Sequence, residues 1–276
     1  MKPEIEALFA EEHIHETALL PLSACRVTLP RLLERNAPDA QSVILFLLPY
    51  YADTPENFSA YAAAEDYHFF VRELAERLIP KLCALFPAYR FSVFTDHSPI
   101  DERYAAVLSG LGVFGKNGLL LTEKYASFQF IAEILTDAPT ELLGEVKTFD
   151  LRSCENCGAC LAACPTGILR GAGEDCLSAI TQKKGALTDA EKQLMRRYNT
   201  AWGCDVCQTV CPYTKRAKQN GSIVTPIPFF HQKRMSRLSS QVLNGMDDET
   251  FQRRAFAWRG KATVERNVAI LEEKNK

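Results

Sequence analysis

A chain of 276 residues with 47% apolar and 24% charged side chains is long enough for one large or two modest cores, and too apolar for a disordered or collagen-like polymer. A net charge of −2 supplies no overall positive field for nucleic acid, so a polynucleotide partner would have to use a local patch. The acidic opening MKPEIEALFAEEHIHE lacks the basic flank and apolar run of a signal peptide, and no apolar stretch approaches membrane-spanning length; the expectation is a cytoplasmic protein with no membrane partner.

In chain order, SVILFLLPYY (Ser42 to Tyr51) is a continuous apolar run ending near a proline, the pattern of a buried strand. Val71, Leu74, Leu78, Leu82 and Leu85 then recur at steps of three and four, with Arg72, Glu73, Glu76, Arg77 and Lys81 on the other face, which predicts one long amphipathic helix. RFSVF (Arg90 to Phe94) reads as a second strand, and DERYAAVLSG as a short helix that stops at Gly110. GLLLT and SFQFIAEILT are β-rich runs separated by Glu123 to Ala126, and predict a hairpin. Residues 1–150 therefore read as one α/β (α+β) domain. From Leu151 the pattern changes to short cysteine-rich segments punctuated by Pro165, Gly167, Gly171 and Gly173, which sets a second domain over 151–220 and leaves 221–276 as a helical tail. Thr188 and Glu191 form a capping-box pattern ahead of Leu194 and Met195.

Eight of the ten cysteines fall between Cys154 and Cys211, whereas a disulfide framework would be spread over the domain it staples. CENCGACLAACP places Cys154, Cys157, Cys160 and Cys164 at the C-x2-C-x2-C-x3-C-P spacing of bacterial ferredoxins, in which the fourth cysteine ligates the other cluster. CDVCQTVCP adds Cys204, Cys207 and Cys211, and Cys176 lies between the runs. Crossed in the ferredoxin manner, these give one four-iron cluster on Cys154, Cys157, Cys160 and Cys211 and another on Cys164, Cys176, Cys204 and Cys207. Paired C-x2-C motifs also suit zinc, but the triple repeat and both Cys-Pro endings favour clusters. Cys25 and Cys83 stand apart and read as small buried residues.

The order SVILFLLPYY, DYH (Asp66 to His68), TDHSPIDER, GLGVFGKNGLLL, SFQFIAEILTD, the cysteine runs and RNVAI resembles the epoxyqueuosine reductase family, cobalamin- and iron–sulfur-dependent enzymes of tRNA modification related to reductive dehalogenases. The resemblance implies a cobalamin-binding-like domain followed by a ferredoxin-like double-cluster domain. It implies that Asp96 of TDHSPIDER is the proton donor beside the corrin, and that Leu120, Ile131, Ser178 and Asp205 contact the cobalamin. An external electron donor would feed the clusters of a monomer. The chain departs from the family at Ala60, Ala64 and Glu65 ahead of DYH, at His97, and at Val113 where a tryptophan is usual. It also stops soon after RNVAI, where longer relatives continue into a helical-repeat module, so this short form is expected to hold tRNA weakly. The competing reading, an electron-transfer protein with clusters but no substrate chemistry of its own, leaves TDHSPIDER and GKN without a role. Without the resemblance, Asp96 between a strand and a proline would read as a turn or capping residue.

Overall fold

Ser42 to Pro49 form a strand in which every side chain is buried, and a strand of that kind needs neighbours on both edges and both faces. It supplies the centre of the first of two compact units in the computed structural model, which describes residues 1–273. This unit comprises Met1–Pro49 and Phe70–Glu155; the second comprises Tyr50–Phe69 and the chain from Asn156 onward. The grouping differs from a simple cut near residue 150, because Tyr50–Phe69 joins the later unit, an exchange that local periodicity does not register.

The first unit contains strands β1 (Thr17–Pro21), β2 (Ser42–Pro49), β3 (Phe91–Thr95), β4 (Val113–Phe114), β5 (Leu120–Leu121) and β6 (Gln129–Thr136). Four of them form a sheet in the order β1-β2-β6-β3, every neighbouring pair antiparallel. Strands β2 and β3 thus run the same way with β6 inserted between them, a split β-α-β arrangement. The helices are α1 (Pro3–Glu11), α2 (Pro30–Asn36), α3 (Tyr67–Leu85), α4 (Glu102–Leu108) and α5 (Thr140–Leu143), with α3 beginning in residues assigned to the second unit. Along α3, Val71, Leu74, Leu78 and Leu82 are buried as their spacing predicts, whereas Leu85 at the helix end is 43% exposed.

The hairpin expected between GLLLT and SFQFIAEILT does not form. Strand β5 pairs with β4, while β6 takes the central position, and a bridge between Thr122 and Ala126 closes the turn that separates them. The long, mostly buried β6 finds far more backbone and apolar surface against β2 and β3 than a two-residue partner offers.

The second unit is helical: α6 (Ala159–Ala163), α7 (Leu177–Gln182), α8 (Asp189–Tyr198), α9 (Val206–Thr209), α10 (Pro212–Gln219), α11 (Ser240–Asn244), α12 (Asp248–Gln252) and α13 (Lys261–Glu272). The capping box of α8 is complete, Thr188 and Glu191 each bonding the other's backbone N–H. Residues 221–273 are no separate tail. Leu243, Phe251, Phe256, Val264 and Val268 share one core with Leu177, Met195 and Trp202, and Phe256 lies edge-on to Trp202 at 6.0 Å. Short apolar stretches carry no mark of the partner they will meet, so the sequence alone separates what the fold joins.

Asn267 of RNVAI explains why this segment stays docked. Fully buried on α13, it donates from Nδ2 to Thr181 O at 2.6 Å and to Ala201 O at 2.8 Å. Asn267→Ala orphans both carbonyls and is expected to destabilise the protein by roughly 1–3 kcal/mol. An anaerobic thermal melt should show a lowered apparent Tm; an unchanged Tm would contradict this account of the docking.

Candidate active site and cluster domain

The strand β3 ends against β6, where Thr95 Oγ1 donates to Ile131 O at 2.9 Å. The next residue, Asp96, has φ of +60°, a left-handed conformation that Asp tolerates better than most residues and that tends to persist at functional sites. Backbone bonds hold the loop at His97, whose N–H donates to Thr95 O at 2.6 Å, and at Pro99, whose carbonyl accepts the Thr28 and Leu29 amides at 2.9 and 3.1 Å; side chains add three more. The Asp96 N–H donates to Glu102 Oε1 at 3.1 Å, the Ser98 hydroxyl donates to Glu133 Oε1, and Ile100 N–H donates to Ser98 Oγ at 3.1 Å. Asp101 then caps α4 by accepting the Tyr104 N–H at 3.0 Å. Asp96 and His97 are exposed, while Ser98, Pro99 and Ile100 are buried.

Beside this corner lies an apolar cluster of Leu47, Ala106, Val107 and Leu120, against which half-buried Leu111, Phe114 and Ile131 pack. The structure thus brings Leu120 and Ile131 together, with Ile131 bonded to the residue before Asp96. GVFGKNG forms the turn from β4 to β5: Gly115 N–H donates to Leu119 O at 2.8 Å, and Gly118 takes φ of +81°. At Gly112 a Cβ would stand 2.6 Å from Leu121 O, so no larger residue fits that position without movement.

Two carboxyls behind the loop are perturbed. Burial, joined by the nearby Glu102 charge, pushes Glu133 well above the usual carboxylate range, and Glu133 is fully buried on β6. Burial likewise raises Glu102 to about 7, although the Asp96 N–H favours its ionised form. Glu133 escapes a motif-based reading; its one signal is a lone charge within the apolar run FIAEILT.

Of the eight cysteines of the motif, Cys160 lies within α6 and Cys207 within α9, the others lie in loops or at helix ends, and none forms a disulfide. Cys154 belongs to the first unit and donates its N–H to Phe114 O at 2.8 Å. In the second unit α6, which opens at left-handed Gly158, packs against α9 and so brings the two cysteine runs together. Cys204 is pushed up to about 12 by burial and by Cys176, Asp205 and Cys164 nearby; Cys207 rises to about 12 through burial, Cys204 and Cys176. Cys164 behaves oppositely: burial raises it, but the amides of Leu169, Thr166 and Gly167 and the Thr166 hydroxyl outweigh that and lower its pKa. Cys211 is buried, while Cys157 and Cys176 are exposed. Among the described residues no three of His, Cys, Asp and Glu converge on one point as donors to a single ion do.

Asp205 sits between Cys204 and Cys207. Its carboxylate accepts from Ser59 Oγ, from Ala60 N–H at 2.7 Å and from Gln208 Nε2 at 2.8 Å, while burial raises its pKa against these bonds. Ser178 lies on the first turn of α7, its hydroxyl accepting from Gln182 Nε2 at 3.1 Å. Both belong to the second unit, whereas Asp96, Leu120 and Ile131 belong to the first. Among the described residues no helix is long and apolar enough to cross a membrane.

Residues 153–214 match the 4Fe-4S double cluster binding domain, which makes this a protein with two four-iron clusters. Residues 32–97, ending at Asp96 and His97, match the domain described as Epoxyqueuosine reductase QueG, DUF1730. An epoxyqueuosine reductase from Listeria monocytogenes is 30% identical over 285 residues, covering 96% of this chain and 73% of that one. Other curated epoxyqueuosine reductases are matched over 60% to 65% of their own length. Among solved structures, the enzyme from Streptococcus thermophilus superposes with a TM-score of 0.77 at 21% identity, over 97% of this chain and 80% of that one. An epoxyqueuosine reductase solved with an epoxyqueuosine-modified tRNA-Tyr stem loop gives 0.76 at 23%, over 97% and 80%. The chain belongs to the epoxyqueuosine reductase family.

Two cubanes fix the metal content. Protein purified without oxygen should carry about eight irons and about eight acid-labile sulfides per chain, the yield of two four-iron clusters. Zinc without labile sulfide would contradict it.

Proposed function

We propose that this chain is an oxidoreductase that converts epoxyqueuosine in tRNA to queuosine, with Asp96 as the proton donor. The observation that carries the reading is an exposed aspartate, held left-handed beside an apolar cluster, in a member of this family. The reaction removes the epoxide oxygen: two electrons and two protons enter, both C–O bonds break, and an alkene and one water leave. The clusters deliver the electrons, one at a time, from an external donor to the reacting centre. A tRNA substrate puts this work in the cytoplasm, in a monomer that engages the stem loop locally because its net charge is only −2.

Cobalamin, when bound, supplies the cobalt that passes electrons to the substrate. The residues fit such a group: half-buried Ile131 and Phe114, packed on buried Leu120, present an apolar surface suited to a corrin face, next to the Asp96 loop. The contacts proposed in the second unit are Ser178 and Asp205. Asp205 already accepts three hydrogen bonds, so it would serve the cofactor by sharing oxygens that also hold the Cys204–Cys207 turn. Asp96 gives its proton to the departing oxygen, and the Glu102 contact fixes where the loop that carries it stands.

For the clusters, the proposed ligand sets are Cys154, Cys157, Cys160 and Cys211, and Cys164, Cys176, Cys204 and Cys207. The second set is supported by the closeness of Cys164 and Cys176 to Cys204, and of Cys204 and Cys176 to Cys207, whose thiols they push up, with Cys160 of the other run also near Cys207. Crossing predicts that Cys211→Ala damages the same cluster as Cys157→Ala. Electron paramagnetic resonance of the reduced variants should show the same signal lost; loss of different signals would break the assignment.

The proton-donor role has its own test. General acids contribute roughly 10²- to 10⁴-fold in rate, so Asp96→Asn should cut turnover by about that factor with iron content and cobalamin affinity retained. Full turnover by the variant would remove Asp96 as the acid; loss of cobalamin would make it a binding residue.

A further inference from the structure

Glu133 sits at the middle of β6, opposite Leu45 on β2 and Phe94 on β3, where a charge has no access to water. Its Oε1 accepts the Ser98 hydroxyl, but no donor among the described residues reaches its Oε2, which is also buried. The Glu102 carboxyl lies within hydrogen-bonding reach of Glu133, and its own Oε1 accepts the Asp96 N–H. The groups facing the pair are Cys25 from the segment after β1, Asp96 and Ser98 from the loop, and Asp101 at the start of α4. No cation stands among these, so nothing in the set offsets two negative charges.

We infer that Glu102 and Glu133 share one proton and, with Ser98, form a latch that holds the Asp96 loop in its observed position. A proton on the otherwise unpartnered Glu133 oxygen removes a buried charge and supplies a bond to Glu102 in one step. Glu102 and Glu133 are positioning residues: they fix the loop through its amide and its serine rather than touching substrate. Loss of the shared proton leaves a buried Glu133 carboxylate facing the half-buried Glu102 carboxylate, and their repulsion releases the loop from Asp96 to Ser98, while Pro99 O stays bonded to the Thr28 and Leu29 amides. The closed loop binds this proton more tightly than the open one, because Glu102 is raised from its ordinary 4.5 to about 7. Closure is therefore strongest in acid and weakens as the pH climbs through about 7.

The meaning of the latch for turnover rests on the proposed role of Asp96, but its existence can be read with no substrate present. The experiment is hydrogen exchange on the anaerobic, cluster-loaded protein, following the amides of Asp96, His97, Ser98 and Ile100. After correction for base-catalysed intrinsic exchange, their protection should fall roughly tenfold or more between about pH 5.5 and about pH 8.5. Glu133→Gln keeps the shape and offers an N–H to Glu102 that needs no titrating proton, so it should flatten this dependence while retaining protection. Ser98→Ala removes the link from loop to pair and should lower protection across the range. A wild-type loop with no pH dependence, a Glu133→Gln loop with the wild-type dependence, or a Ser98→Ala loop as protected as wild type would each overturn the latch. None of these outcomes bears on whether Asp96 is the acid, which its own turnover test decides.

Discussion

The conflict between burial and ionisation governs the chemistry of this chain. Iron requires thiolates, yet Cys204 and Cys207 are held where burial and neighbouring sulfurs push each to about 12. A bound cluster reverses that preference, because the metal charge stabilises the deprotonated sulfur far more than burial opposes it. Protein groups prepare part of the site: three amides and a hydroxyl already favour the Cys164 thiolate. Asp205 pins the Cys204–Cys207 turn to Ser59 and Ala60, and left-handed Gly203 permits that approach, since a Cβ there would collide with Ser59. The shared core of Trp202 and Phe256 stands behind these turns.

The same conflict recurs with carboxyls in the first unit. A glutamate at the centre of a sheet is a poor stabiliser, and replacing it by an apolar residue would cost the sheet little. Its position instead connects the sheet to the one exposed loop that carries the proposed acid. Strand β6 is the shared element: it supplies Glu133 to the loop, Ile131 to the apolar cluster, and the carbonyl that fixes Thr95.

Much of this is legible in the sequence, for physical reasons that differ by element. Cysteine spacing is local and reports directly on how a chain can wrap a cubane, so the double-cluster domain is evident from CENCGACLAACP and CDVCQTVCP alone. Strand β2 and helix α3 follow from apolar runs and periodicity, and the α8 capping box from two residues. Long-range choices are not written in any short window. The insertion of β6 between β2 and β3, the grouping of Tyr50–Phe69 with the second unit and the burial of Phe251, Phe256 and Val268 all depend on which distant surface is available. Glu133 was hidden for the same reason: a single acidic residue in a strand gains meaning only when Glu102 and Ser98 are brought to it.

The central proposal is that this chain removes an oxygen atom from a modified nucleoside. The most direct measurement incubates the cluster-loaded protein with cobalamin, a low-potential reductant and an epoxyqueuosine-bearing tRNA stem loop under anaerobic conditions, then follows the nucleoside by mass spectrometry. The account predicts loss of one oxygen to give queuosine, dependent on both cobalamin and reductant. Clusters that reduce and reoxidise normally while the epoxide persists would contradict it and leave an electron-transfer protein.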